Sequence, residues 1–293
     1  MKLTALQLRF QAAAYPRRFA AYSKMKHSPY CDVVTATTYD HLALPYQFAA
    51  PARDLVDMLR LPVGCRVLDV GSGTGAAAIP AAEAVGPKGL VVAFDASVEM
   101  LRLLHRKMVC REVAGEVPGL PFQDGSFHAV MGNFVLSHFK SYELGLADMI
   151  RVLRPGGRLG VTAWAAGQNQ FGQAWSDAAA TFVSREFHQR AFREIIPWDE
   201  WLSQEGNLLR ALDEAGLIRV EVSRRTYRIA MSITDYLSLR ENSVEGTLLR
   251  RNLQAGRWRQ FRQCVMDAFR ERFNESVEYS REVHFGICAK SGG

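Results

Sequence analysis

The sequence predicts an α/β fold in which a doubly wound, mostly parallel sheet carries helices on both faces. Three observations predict it. Short apolar runs alternate with amphipathic helical segments over residues 61–164. A glycine-rich turn, Gly71 to Gly75, joins the first strand of that region to its first helix. Clusters of glycine and proline separate the later elements, as is typical of folds that alternate strands and helices.

The length and composition are those of an ordinary globular protein. The 293 residues, 48% hydrophobic and 23% charged, suffice for one large domain or two small ones and exclude a wholly disordered, collagen-like or coiled-coil chain. No stretch approaches the roughly 18 apolar residues that a membrane span needs. The five cysteines lack the spacing of metal or redox motifs, so we expect no metal site, no disulfide framework and a cytoplasmic location.

An N-terminal helical cap is predicted over residues 1–60. Residues 1–31 contain helical stretches that are interrupted by Pro16 and Pro29. Residues 39–60 have the apolar spacing of a helix, because Leu55, Val56, Met58 and Leu59 recur at helical intervals.

A cofactor-binding core with five strands is predicted over residues 61–164. Each strand is a short apolar run, as expected of parallel strands that are buried on both faces. The predicted strands are Arg66–Val70, Leu90–Phe94, Val109–Ala114, Phe127–Gly132 and Arg158–Trp164. The predicted helices are Ala76–Val85, a helix capped by Ser97, and residues 142–153, where Pro155 stops the helix.

The rest of the chain divides into three predicted segments. Residues 165–230 form an aromatic-rich lid segment, with a helix at Leu208–Ala215 and a sixth strand at Leu217–Ile229. Residues 231–280 are predicted as a helical insertion, and residues 281–293 contain the final strand, Val283–Ala289. The complete pattern predicts a Rossmann-like, seven-stranded, mostly parallel sheet with an N-terminal helical cap and helical insertions.

The segment Val67–Gly75 is the strongest local signal for ligand binding. Its glycines let the backbone turn sharply and let a ligand approach closely, and Asp95 ends the next strand, where a carboxylate can bind a ribose diol. The spacing also satisfies the dinucleotide fingerprint, so an NAD-dependent oxidoreductase stays open. Asp69, two residues before the first glycine, is poorly suited to a pyrophosphate and suits a cationic ligand such as S-adenosylmethionine (SAM).

Several blocks in order resemble the class I SAM-dependent methyltransferases, particularly the small-molecule group with the ubiquinone/menaquinone-biosynthesis enzymes. The similarity covers residues 60–164 firmly and the segment 211–217 weakly. Its blocks are Val67–Gly75, Val91–Asp95, Gly115–Phe122, Gly125–Val130 and Met149–Arg158. The resemblance implies SAM as cofactor.

The resemblance also implies contacts with the methionine and ribose parts of SAM. The glycine loop would lie under the methionine part, Asp69 would face its amino group, and Asp95 would hold the ribose hydroxyls. Asn133 would lie near the methionine end and the acceptor, and Tyr39 would reach over the cofactor. The loop residues assigned to the cofactor are Gly71, Ser72, Gly73 and Gly75.

Four further positions would contact the adenine. Ala96 and Met100 would pack on the ring, Glu116 would accept from its amino group, and the Val117 backbone would pair with its edge. Glu116 stands where the family usually has Asp, so its side chain is one methylene longer. Met100 also fits a core position of its helix.

We expect methyl transfer from SAM to a small, apolar or aromatic acceptor by in-line displacement. Two alternatives stay open: an RNA or protein methyltransferase that uses basic flanking segments, and a SAM-binding protein without catalysis. His138 fits either a general base or a packing residue, and Asp95 fits either a ribose ligand or a helix N-cap, so no catalytic residue is assigned. The acceptor, the methylated atom and the oligomeric state stay undetermined, although the aromatics of residues 165–205 suit a pocket, a core or a homodimer interface.

The charge is unevenly distributed along the chain. Residues 1–31 carry a net charge of +6, residues 32–223 carry −5, and residues 224–272 carry +6. The acidic centre contains the predicted cofactor site, whereas the basic segments coincide with the predicted lid and acceptor pocket. This division suggests an anionic acceptor, with nucleic acid a less favoured partner.

Overall fold

The computed structural model describes residues 32–107, 109–273 and 275–292, without the side chains of Phe187, His188 and Ala191. The helical stretches predicted within residues 1–31 lie outside this part of the chain. No helix in the described ranges is long and apolar enough to cross a membrane.

One seven-stranded sheet organises the fold, as predicted. Its strands lie in the order β3-β2-β1-β4-β5-β7-β6, and only β7 runs antiparallel to its neighbours. The strands are β1 (Arg66–Val70), β2 (Leu90–Asp95), β3 (Arg111–Ala114), β4 (Phe127–Asn133), β5 (Leu153–Trp164), β6 (Ile218–Ser232) and β7 (Ser276–Ala289). The strand order reverses between β1 and β4, so a ligand crevice is expected at the carboxyl ends of these strands.

Helices cover both faces of this sheet. The first helices along the chain are α1 (Val33–Thr38), a π-helical segment (Tyr39–Phe48), α2 (Ala49–Leu59), α3 (Ala78–Val85), α4 (Val98–His105) and α5 (Tyr142–Val152). The later helices are α6 (Gln170–Ala180), α7 (Arg185–Ile195), α8 (Asp199–Leu202), α9 (Glu205–Glu214), α10 (Ile233–Glu241), α11 (Val244–Asn252) and α12 (Ala255–Arg272).

Alternation along β1 divides the core between the two faces. Val67 is buried against α2, α3 and α4, whereas Leu68 and Val70 are buried with the apolar sides of α5 and α9. Because successive side chains of a strand point to opposite faces, Asp69 lies on the same side as Val67. This alternation buries a carboxylate within an otherwise apolar layer.

A third core joins the two segments that follow the cofactor-binding region. Trp175 of α6 packs edge-to-face on Phe261 of α12 at 5.1 Å between ring centroids, and Phe171 lies beside Phe273 at 4.6 Å. Helices α10 to α12 are inserted between β6 and β7, whose paired ends extend beyond β5. The lid segment and the helical insertion therefore share one core above the end of the sheet.

The N-terminal cap differs from the single helix that residues 39–60 predict. Residues Tyr39–Phe48 form wide π-helical turns, and regular α-helix begins only at Ala49. Pro45 lies inside the π-helical segment, and its missing N–H prevents the usual hydrogen bond at that point.

Two strands begin earlier than predicted. Strand β5 starts at Leu153 rather than Arg158, because the chain through Pro155 and Gly156 forms an irregularity within the pairing with β4. Strand β7 starts at Ser276 rather than Val283, so the prediction of helix through residue 280 was wrong at its end. The two-residue alternation of polar and larger side chains after Ser276 fits a strand.

Candidate active site

The glycine loop after β1 has a backbone that only glycine adopts easily. Gly71, Gly73 and Gly75 have φ values of +69°, +54° and +99°. A Cβ atom on Gly71 would lie 2.2 Å from a methyl carbon of Val135, and one on Gly75 would lie 2.5 Å from Leu104. The glycines therefore serve both the turn and the close packing of the loop on its neighbours.

Asp95 at the end of β2 holds this loop in place. Its Oδ2 accepts a hydrogen bond from the N–H of Gly73 at 2.8 Å, and its Oδ1 accepts one from the N–H of Ser97 at 2.7 Å. Burial raises the pKa of Asp95, and the two N–H donors oppose that rise. Ser97, not Asp95, caps α4, since its hydroxyl accepts from the N–H of Met100.

Asp69 is a buried carboxylate, 1% exposed. Neither of its oxygens accepts a hydrogen bond from the part of the chain that the structure describes. Burial, followed by the charge of Asp95, raises the pKa of Asp69 to about 8, against a weak opposing effect of the Ala78 N–H. A cation placed beside this carboxylate would favour its ionised form.

Two hydroxyl groups of the glycine loop share this lack of partners. The side-chain oxygens of Ser72 and Thr74 are buried and form no hydrogen bond to the described residues. An unsatisfied buried polar group costs about 1–3 kcal/mol, so such groups are uncommon in native proteins. Their concentration with Asp69 in six consecutive residues fits a bound ligand that is rich in hydrogen-bonding groups.

Two of the residues expected near the adenine, Glu116 and Val117, lie on the loop next to Asp95. The N–H of Gly115 donates to the carbonyl of Asp95 at 3.0 Å, which brings Glu116 and Val117 to the same edge of the sheet. Glu116 is exposed, and Val117 is half-buried against the apolar face of the sheet. Ala96 is exposed and Met100 is 4% exposed.

Asn133 and Tyr39 border the loop from the opposite side. The amide oxygen of Asn133 accepts from the Thr162 hydroxyl at 2.9 Å, and that hydroxyl accepts from the N–H of Phe134. The Tyr39 ring lies 3.5 Å from the position that a Cβ on Gly73 would occupy. Tyr39 and Asn133 thus stand at the carboxyl edge together with the glycine loop.

Lys107 joins the loop to the N-terminal segment, which sequence reasoning did not predict. Its ammonium group donates to Asp40 at 2.7 Å and to the Thr74 carbonyl at 2.8 Å. The three residues are far apart in the sequence and carry no shared motif, so no local pattern announces the contact.

A cavity of about 530 Å³ opens beside Tyr39. Its lining comes from residues 35–48, 164–199, 236–245 and 279–281. Six aromatic side chains contribute to it: Tyr39, Phe48, Trp164, Phe192, Tyr236 and Tyr279. The size and aromatic walls suit a small organic molecule.

Charged groups also line this cavity, and the sequence did not reveal them. Arg240 forms a mostly buried ion pair with Glu245, and the guanidinium of Arg281 lies 3.6 Å from the Trp164 ring centroid. Burial raises the pKa of Asp199, and the charge of Arg281 opposes that rise. Arg281 lies outside the basic segment 224–272, which explains why charge counting missed it.

His138 is poorly suited to the role of a general base. Burial lowers its pKa to about 4, so the imidazole is neutral at pH 7 and binds a proton weakly.

Comparisons with known proteins identify the same region. Residues 67–157 match the family described as "Methyltransferase domain". The demethylmenaquinone methyltransferase of Geobacillus kaustophilus is 31% identical over 201 residues, which cover 60% of this chain and 81% of the relative. The aklanonic acid methyltransferase of Streptomyces sp. strain C5 is 29% identical over 204 residues, or 64% and 90% of the two chains.

Solved structures of low sequence identity share the fold. A candidate methyltransferase of Bacillus halodurans C-125 gives a TM-score of 0.54 at 19% identity and covers 83% of this chain and 99% of its own. Phosphoethanolamine N-methyltransferase 2 of Haemonchus contortus gives 0.51 at 16% identity, covering 83% of this chain and 52% of its own.

The seven-stranded sheet and the reversal of its strand order beside the glycine loop define a Rossmann-like fold of the methyltransferase type. The chain belongs to the class I SAM-dependent methyltransferases, in the small-molecule group that contains the demethylmenaquinone methyltransferases. The predictions of the fold class, of a methyltransferase and of SAM as its cofactor are confirmed. The alternative of an NAD-dependent oxidoreductase is thereby set aside.

Proposed function

We propose that this enzyme transfers the methyl group of SAM to a planar, largely apolar or aromatic small molecule that binds in the cavity beside Tyr39. One observation carries the proposal: Tyr39, whose ring lies beside Gly73 of the glycine loop, also forms a wall of an aromatic-lined cavity of about 530 Å³. Two relatives support it, since they are named as methyltransferases of demethylmenaquinone and of aklanonic acid.

The residues around the loop fit SAM in chemistry and position. The Asp69 carboxylate and the hydroxyls of Ser72 and Thr74 are buried and have no hydrogen-bond partner among the described residues, as expected of groups that bind a ligand. The cationic methionine part would bind above Gly71, Gly73 and Gly75. There its positive charge would attract and stabilise the ionised carboxylate of Asp69.

The ribose and adenine would extend toward β2 and β3. Asp95 already accepts two N–H donors, but a carboxylate offers about four lone-pair directions, so two ribose hydroxyls still find acceptors there. Glu116 and Val117 would flank the adenine, with Ala96 and Met100 on the ring face. Asn133 would adjoin the methionine end.

The protein's part in methyl transfer is alignment and exclusion of water. SAM supplies a methyl group that its sulfonium already activates toward displacement. Tyr39 stacks on Phe48 with ring centroids 5.1 Å apart, and both rings line the cavity next to the loop. These rings would hold a planar acceptor at the side where the methyl group is presented.

Product analysis tests this function directly. The full chain would be incubated with SAM labelled in its methyl group and a panel of hydroquinones, phenols, polycyclic aromatic acids, short RNAs and peptides. We expect labelled product from at least one aromatic small molecule, together with an equal amount of S-adenosylhomocysteine, and less product from Asp95→Ala at the same subsaturating SAM concentration. Label in RNA or peptide alone would contradict the proposal, and binding of SAM without any product would favour a non-catalytic role.

A further inference from the structure

Strand β7 carries Arg281 to the edge of the cavity. Strands β5 and β7 pair as far as Trp164 and Val283, and Arg281 lies two residues beyond that last pair. It therefore stands past the carboxyl end of β5, at the edge of the sheet where the glycine loop and Asn133 also lie. Arg281 and Tyr279 line the cavity from alternate positions of the strand.

Trp164 separates Arg281 from the end of β4. The guanidinium carbon lies 3.6 Å from the Trp164 ring centroid, while the Phe134 ring stacks on Trp164 at 4.3 Å and 25°. Two groups this close to the ring centroid would overlap if they lay on the same face. Phe134 and Arg281 therefore cover opposite faces of the indole. The Trp164 ring thus lies between Arg281 and Phe134, and Phe134 directly follows Asn133, which is proposed to border the methyl donor.

The guanidinium has no polar partner in the described ranges. No carboxylate lies within 4.0 Å of its nitrogens, and it donates no hydrogen bond there; its contact is the indole face. A stacked guanidinium keeps its N–H donors in the ring plane, where they are available to an anion. A buried cation without such an acceptor is costly, and burial lowers the pKa of Arg281 for that reason.

The other arginines that line the cavity are already paired with carboxylates. Arg240 is paired with Glu245, and Arg185 is paired with Asp177 at 3.1 Å. Asp199 is the neighbouring carboxylate that faces Arg281 without forming a salt bridge to it. Tyr236 and Tyr279 remain neutral donors at physiological pH, because burial raises the pKa of both and that of Tyr236 to about 12.

We propose that the methyl acceptor carries an anionic oxygen group on an aromatic framework and that Arg281 binds this group. The proposal rests on the proposed function and narrows its acceptor class to aromatic carboxylates and related aromatic oxyanions. The planar fork of arginine matches a carboxylate with two parallel hydrogen bonds, and the aromatic walls hold the ring system. The acceptor would thus be anchored by its charge on one side and presented to the methyl donor on the other.

Calorimetry with a matched pair of probes tests the role of Arg281. The full chain, saturated with S-adenosylhomocysteine, would be titrated at neutral pH with 2-naphthoate and with the neutral 2-naphthamide. We expect the carboxylate to bind about tenfold more tightly than the amide. Arg281→Met would remove this preference, and Arg281→Lys would retain part of it, because lysine keeps the charge without the fork.

Two further variants separate this role from general charge effects. Arg228 is exposed on β6, the strand next to β7, and forms a salt bridge with Glu278. Arg228→Met therefore removes a nearby cation and should leave the preference for naphthoate over naphthamide unchanged. Asp199→Asn removes the competing carboxylate and should strengthen naphthoate binding several-fold. The Asp199→Asn result also tests the proposal should Arg281→Met fail to fold.

Three outcomes would overturn the proposal: no preference for naphthoate in the unmodified chain, a preference that persists in Arg281→Met, or a loss of S-adenosylhomocysteine affinity in Arg281→Met that matches the loss for naphthoate. The third would mean that Arg281 binds the carboxylate of the cofactor. Titration of S-adenosylhomocysteine into the unmodified chain distinguishes failure of the proposed function from failure of the role of Arg281 alone. Failure to bind it contradicts the proposed function, whereas normal binding without carboxylate preference contradicts the role of Arg281 alone.

Discussion

The carboxylate of Asp95 accepts a hydrogen bond from the N–H of Gly73 at 2.8 Å, and so the residue proposed to bind the ribose also shapes the glycine loop. The same carboxylate accepts from the N–H of Ser97, at the start of α4. One side chain therefore sets the loop, the helix start and the proposed ribose site relative to each other.

Asp95→Ala is expected to weaken the binding of S-adenosylhomocysteine by about 1–3 kcal/mol, because charge-assisted hydrogen bonds to the ribose are lost and the loop loses an anchor. Calorimetry of the purified variant measures the change. Glu99→Ala is the matched control, since it removes another acidic residue from α4 whose partner is Arg102. Equal affinities of Asp95→Ala and the unmodified chain, with both folded, would refute the ribose role.

Gly71→Ala is expected to destabilise the protein by about 1–3 kcal/mol, since it places a Cβ 2.2 Å from Val135 at a φ of +69°. Gly206→Ala is the control. Gly206 lies in α9 with open space around its Cβ position, so alanine there should raise the free energy of unfolding by up to about 1 kcal/mol. Urea denaturation measures both, and a Gly71→Ala protein as stable as the unmodified chain would contradict the packing argument.

The β-α order and the glycine loop could be predicted because their signals are local. The apolar run ending at Val70 and the three alternating glycines lie within nine residues, and Ser97 is a typical helix cap. The carboxylate of Asp95 could be placed at the end of its strand for the same reason. These features need no knowledge of distant parts of the chain.

Arg281 and Lys107 could not be predicted, because their environments come from distant segments. Arg281 reaches the cavity because the antiparallel pairing of β7 with β5 brings its side chain to Trp164. Lys107 meets Asp40 and the Thr74 carbonyl through folding of the N-terminal segment onto the loop. Asp69 is buried by the packing of α2 to α4 and meets no hydrogen-bond donor among the described residues, which no local sequence pattern predicts.

The buried pair of Arg240 and Glu245 makes a prediction about the cavity wall. Glu245→Gln leaves the guanidinium of Arg240 without its counterion and should cost about 3–5 kcal/mol of unfolding free energy. The double variant Arg240→Met, Glu245→Leu removes both charges and should recover most of that loss. Adding the single variants Arg240→Met and Glu245→Leu closes a double-mutant cycle, which urea denaturation measures. Additive losses in that cycle would contradict a direct pair.

Asp69 predicts how stability depends on pH in the absence of cofactor. Its pKa is about 8 in the folded protein and near the ordinary aspartate value when unfolded, so between roughly pH 4 and pH 8 the folded state holds the extra proton. The contribution of Asp69 to the unfolding free energy is therefore fully present below pH 4 and is lost as the pH rises to 8, by on the order of a few kcal/mol.

Asp69→Asn should remove this contribution, because the amide has nearly the same shape and does not ionise. Urea denaturation at a series of pH values would compare the unmodified chain, Asp69→Asn and the control Asp57→Asn, which alters an exposed carboxylate of α2. We expect the free energy of unfolding to depend less steeply on pH in Asp69→Asn than in the unmodified chain or in Asp57→Asn. Saturating S-adenosylhomocysteine should also flatten the slope of the unmodified chain, because it keeps the ammonium group that Asp69 is proposed to face. An identical slope in Asp69→Asn and the unmodified chain would show that Asp69 stays ionised in the folded protein and that its charge is compensated without the cofactor.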